Sequence, residues 1–248
     1  MQVVLITETK DVSLADLCRL APALEQNGKH CATAWGVAPP AVDVISKREA
    51  LPKGAHPILF MDASTDPTEL AVHYWDVFRQ GPAARVYTAK ADGFNRGENS
   101  VAESASHELV EMMIDPQVNR WVDHPDPEFP GVQVAVEISD PVQTHYFVAH
   151  GGTSWRVANF VTPFWFHAGL AREPMRLAAF LRGGGILDWN RELSFPGEIG
   201  PKGYAITRSF IGDTWVPQAR DSSGSLVIHD PAKDRGNPLS RTKIRGAS

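Results

Sequence analysis

Cysteine is scarce in this chain: Cys18 and Cys31 are the only two among 248 residues. Two cysteines cannot build the disulfide framework of a small secreted domain, and the pair reads as two buried, reduced thiols. Long apolar runs are missing too. No stretch reaches the roughly 18 residues of a membrane span, and no basic-then-apolar leader opens the chain. The sequence therefore predicts a protein made in the cytoplasm, with no signal peptide and no membrane span. Positive charge is also short: 24 Lys and Arg against 29 Asp and Glu give a formal charge of −5. That removes the general electrostatic case for a nucleic-acid partner. Two familiar signatures are absent as well. There is no Gly-x-Ser-x-Gly, and Gly183-Gly184-Gly185 lacks the Lys-Ser/Thr of a phosphate loop.

What is present is a globular composition: 43% hydrophobic and 21% charged residues suffice for a core of ordinary size. The nineteen prolines and twenty glycines predict many loops and short elements. Val3–Ile6, Ala32–Val37, Ala41–Ile45, His56–Met61, Ala84–Thr88, Val132–Ile138, His145–Ala149 and Arg156–Phe160 read as strands. Leu14 to Leu24 recur at helical spacing behind a Ser13 cap, with Asn27-Gly28 as the stop and Pro22 as a kink or early end. Leu70–Phe78 fits helix or strand. Met175–Leu181 reads as a short helix, and Gly203–Phe210 with Thr214–Gln218 as a hairpin around Gly212-Asp213. The fold class is α/β (α+β), with a main domain over 1–167 and a β-rich appendage over 168–232. A flexible basic tail follows over 233–248, with Lys233, Arg235, Arg241, Lys243 and Arg245 against Asp234 alone.

One local absence carries the chemistry. Between Gly97 and Asn119 there is no Lys or Arg, yet Glu98, Glu103, Glu108, Glu111 and Asp115 all fall there. Ser100 and Glu103 form a capping-box pattern that opens a helix to Ile114, and Asp115-Pro116 closes it. Val101, Ala105, Leu109, Met112 and Met113 make its apolar stripe. Glu103, His107, Glu111 and Asp115 recur every four residues and stand one above another on the other side. Stacked like charges without a local cation are unfavourable; a divalent metal would offset them. Zinc takes imidazole and carboxylate ligands and keeps one position for water, whose proton a nearby carboxylate accepts. His107 and Glu111 are candidate ligands and Glu108 the candidate base. The third ligand must come from elsewhere. Glu137, at the end of a strand, is the first choice; Asp140 is either the alternative ligand or a group that holds the histidine. Asp115 and His73 are further candidates, either to support the ligands or to serve as alternative ligands.

Ser106-His107-Glu108-Leu109-Val110-Glu111, Asp115-Pro116, Trp121 and Glu137-Ile138-Ser139-Asp140-Pro141 together resemble a zincin-like group. In it, a His-Glu-x-x-Glu helix precedes a Glu-Ile-x-Asp strand. Plant Exordium (phosphate-induced) proteins share the outline. The resemblance is closer to uncharacterised proteins of bacteriophages and bacteria, in which a segment like His73-Tyr74-Trp75-Asp76 precedes the motif. A segment like Val157 to Phe166 follows it. The resemblance covers residues 70 to 167 and implies a zincin-like mixed sheet whose edge strand runs beside the active-site helix. It implies a zinc-dependent metallopeptidase-like hydrolase, in which metal-activated water attacks an amide carbonyl of a peptide or protein substrate. The rival expectation is a virion or assembly protein that keeps the fold around a vestigial or structural metal, beside neighbouring virion proteins. Ordinary zincins carry histidine where this chain has Glu111, which leaves calcium or magnesium, both partial to oxygen, behind zinc as the ion.

Overall fold

The computed structural model describes residues 1–47, 49–65, 69–95, 99–150, 154–211, 214–223 and 225. The chain is mixed α/β. Its first half runs β1 (Gln2–Thr7), α1 (Leu14–Trp35), β2 (Ala41–Val44), β3 (His56–Met61), β4 (Ala71–Asp76), β5 (Gly81–Tyr87) and α2 (Val101–Ile114). The five strands form one sheet in the order β2-β1-β3-β5-β4. Its first four members are parallel, and one face of the sheet packs on α1 and α2. β4 lies antiparallel to β5 at the edge, with His73 opposite Ala84. The ambiguous Leu70–Phe78 segment is thus an edge strand.

α1 departs from expectation. It does not stop at Asn27-Gly28 but continues to Trp35, absorbing most of the segment expected as a strand over Ala32–Val37. Tertiary contacts override the local stop signal. Asn27 is buried and its Nδ2 donates to the Ala158 carbonyl at 3.0 Å. A Cβ on Gly28 would stand 2.3 Å from Pro40 Cγ, so this glycine serves a close approach between chain segments. Pro22 sits on the exposed side of the helix, where the Cys18 carbonyl it leaves unpaired can meet water. The real stop is Gly36, in the left-handed region at φ 66°. Cys31 is buried, but Cys18 is exposed, which corrects the expectation of two buried thiols; neither forms a disulfide.

The second half adds β6 (Trp121–Asp123), β7 (Val132–Ala135), β8 (Tyr146–His150), β9 (Ser154–Ala158), α3 (Ala168–Ala171), α4 (Pro174–Arg182), β10 (Tyr204–Ile211) and β11 (Thr214–Asp221). β8 and β9 form a hairpin whose strands pack on α1 and α2. The remaining four strands form an antiparallel sheet, β11-β10-β7-β6. β10 pairs directly with β7, Thr207 opposite Val134. This sheet crosses the boundary expected at 167/168, so the C-terminal segment shares hydrogen bonds with the main domain rather than hanging from it. The turns at Gly151-Gly152 and Gly212-Asp213, Glu98, and the basic tail over 233–248 lie outside the described residues. Among the described residues, no helix is long and apolar enough to cross a membrane.

α2 joins two cores. Val101, Ala102, Ala105, Leu109 and Met112 pack with the five-stranded sheet and α1. Val110 and Ile114 pack with Val134, Ile138, Phe160 and Trp165. Every residue of α2 is buried except Ser104 and Met113, which are partly so. The acidic side of the helix is therefore not a solvated face.

Candidate metal centre

Ser100 opens α2, its Oγ accepting from the Glu103 N–H. Two further bonds fix the helix against β9. Ser106 Oγ donates to the Glu103 carbonyl and accepts from the Ala158 N–H, both at 2.8 Å. The Ala158 carbonyl takes the bond from Asn27, so one residue of β9 is held by side chains of both long helices. Ser106→Ala leaves that buried N–H without its acceptor. A loss of about 1–3 kcal/mol is expected in urea unfolding. A loss below a few tenths would show that the bond does not lock the helix.

The acidic stripe meets two other segments. β4 packs against α2 and brings His73, 2% exposed. After β7 ends at Ala135, the chain turns across α2 and delivers Glu137, Ser139 and Asp140, all buried. The Val161 N–H to Ile138 carbonyl bond at 2.7 Å pins this crossing, and Asp140–Val142 forms a 3-10 turn. The turn lies so close to Gly203 that a Cβ there would meet the Pro141 carbonyl oxygen at 2.3 Å.

His107 Nε2 stands 3.2 Å from Glu111 Oε1 and 3.1 Å from Asp140 Oδ1. The Ser139 N–H also donates to Glu111 Oε1, at 3.2 Å. On the other side, His73 Nδ1 stands 3.1 Å from Glu108 Oε2 and 3.4 Å from Glu111 Oε2, and His73 Nε2 is 3.6 Å from Glu137 Oε2. Two groups of ligand-type atoms therefore converge to within 4.8 Å: His107 with Glu111 and Asp140, and His73 with Glu108 and Glu111.

Of the two candidates for third ligand beside His107, Asp140 is the one that arrives there; Glu137 goes to His73. The strand geometry that favoured Glu137 does not hold, because β7 ends two residues before it. Asp115 joins neither group. Its carboxylate accepts from the backbone of Asn119 and Arg120, closing the helix end. His73, expected as a supporting group or an alternative ligand, lies at the centre. The signal for it was weak: a histidine inside an apolar segment whose secondary structure was undecided.

A metal fits the first group. Ligands about 2.1 Å from a tetrahedral ion stand about 3.4 Å apart, close to the spacing here. One imidazole and two carboxylates form a ligand set that zinc accepts, and that manganese or magnesium accepts as well. Burial by itself pushes the His73 imidazole down. Glu137, with Glu108 and Glu111, outweighs that and holds it well above its ordinary value.

Other described histidines serve elsewhere. His124 is buried, which lowers its pKa, and it lies edge-on to Phe129. His145 pairs with Glu192, His167 caps α3, and His30 stacks on Trp189. Compared with family models, curated proteins and solved structures, the chain matches none of them.

Proposed function

We propose that this protein is a zinc-dependent hydrolase of the metallopeptidase kind. His107, Glu111 and Asp140 are its metal ligands, and Glu108 is its base. The carrying observation is the convergence of His107 Nε2, Glu111 Oε1 and Asp140 Oδ1 next to a further carboxylate one residue along the helix. A divalent ion held there would supply Lewis acidity toward water and toward the amide carbonyl.

The chain's own residues do the rest. The Ser139 N–H orients Glu111 through Oε1. His73 Nδ1 orients Glu108 through Oε2. Glu108 takes a proton from the attacking water and passes it to the leaving amine, the usual duty of a carboxylate base in such a site. A zincin-like relationship is the structural side of this proposal. It is supported by the antiparallel edge strand β4 lying beside the motif helix.

A second reading has its own observation. All six residues of the centre are at most 5% exposed. A closed shell suits a structural ion in a scaffold, such as a component of a virion or another assembly. Elemental analysis separates these readings from a metal-free one. Wild type purified with zinc is expected to hold at least one equivalent per chain, and His107→Ala one fewer. Zinc-free wild type after loading would sink both metal readings. A screen of peptide and protein substrates then decides between the two.

A further inference from the structure

Glu111 belongs to both groups of ligand-type atoms, and its two oxygens are divided between them. Oε1 faces His107 and the Ser139 N–H, while Oε2 faces His73. A carboxylate placed this way, fully buried between two histidines, has the disposition of a bridge between two ions. Each side has one imidazole of its own and at least one further carboxylate: Asp140 for His107, Glu108 for His73. Glu137 stands on the far side of the His73 ring.

Charge points the same way. Glu108, Glu111, Glu137 and Asp140 bring four buried carboxylates around the two imidazoles. Buried charge is tolerated only when compensated. His73 turns Nδ1 toward Glu108 and Glu111, while its Nε2, buried on the other side of the ring, makes no hydrogen bond and stands 3.6 Å from Glu137 Oε2.

We propose that the centre takes two divalent cations bridged by Glu111, the second held by His73 Nδ1, Glu108 and Glu111 Oε2. This rests on the reading that His107, Glu111 and Asp140 hold the first. The second site offers one imidazole and two carboxylates, as the first does. It therefore accepts manganese or magnesium as well as zinc. Glu108 binds there through Oε2, and its other oxygen keeps the part of proton acceptor.

The test is stoichiometry and magnetism rather than turnover. Full-length protein is stripped with a chelator, reloaded with Mn2+, freed of excess and measured by elemental analysis and by electron paramagnetic resonance. Wild type is expected to hold about two equivalents and to give the exchange-coupled spectrum of a carboxylate-bridged pair. His73→Ala is expected to hold one, with an uncoupled spectrum. One uncoupled equivalent in saturated wild type overturns the second ion and leaves the first reading standing. No bound metal overturns both. Two equivalents that survive in His73→Ala overturn the ligand assignment. Should His73→Ala fail to fold, the wild-type spectrum decides alone. Two coupled ions in a protein without hydrolytic activity would uphold this inference while the hydrolase reading fell.

Discussion

Glu108→Gln is expected to lower peptide hydrolysis by about 10²–10⁴-fold, the usual contribution of a positioned general base. The metal of the His107 group should stay in place. The substitution keeps shape and keeps an acceptor for His73 Nδ1, which Glu108 Oε2 meets at 3.1 Å. What it removes is the capacity to take a proton. The fold should therefore survive, with near-unchanged far-ultraviolet circular dichroism and thermal midpoint. The informative comparison is kcat against metal content on the same sample. A fall in kcat with the first equivalent retained is the signature of a base. A fall in which that equivalent also leaves would make Glu108 a ligand of the first ion. Unchanged kcat at full metal would remove Glu108 from the reaction. A second site, where present, weakens in this variant, because a neutral amide oxygen is a poorer ligand than a carboxylate.

The second large effect concerns stability. Trp165 is fully buried in the core shared by α2 and the segment that delivers Asp140. Its Nε1 donates to the Glu198 carbonyl at 2.7 Å, and its ring meets Phe166 edge-on at 4.7 Å. Trp165→Ala opens a cavity and leaves that carbonyl without its donor. A loss of about 3–5 kcal/mol is expected in denaturant unfolding. Domains are stable by only about 5–15 kcal/mol in total, so the variant is expected to be partly unfolded at physiological temperature. Ile138 and Val142 belong to the same core, and Asp140 lies between them. The folded fraction should therefore also bind metal more weakly than wild type. Trp165→Phe fills most of the space and should recover more than half of the loss. A cost below about 1 kcal/mol for Trp165→Ala would show that this core is not packed as described.

The legible part of this protein was its local part. The helix over Val101–Ile114, its Ser100 cap and the shared side of His107 and Glu111 follow from spacing and capping alone. The strands β1, β3 and β5 follow from short apolar runs. What could not be read depends on contacts between distant residues. Asn27 and Gly28 look like a helix stop until the Ala158 carbonyl and Pro40 are placed beside them. The choice between Glu137 and Asp140 turns on where β7 ends and how the chain then crosses α2. Neither is encoded in the spacing of the two acids. His73 enters the centre because β4 is a strand at the sheet edge, facing α2, and a nine-residue apolar segment does not reveal that. The C-terminal hairpin was visible as a hairpin, but not its pairing with β7 across more than seventy residues.

The two cysteines differ in a way that can be put to use. Cys18 lies on the open side of α1, whereas Cys31 lies in the core with Val110, Ile114 and Phe160, where burial drives its thiol strongly upward. A maleimide reagent should thus modify native protein once and stop. The second modification has to wait until α1 parts from the core that α2 shares. Its rate becomes a clock for that opening, and following it with and without added zinc reports how far an ion bound beside His107 slows the opening of the whole molecule.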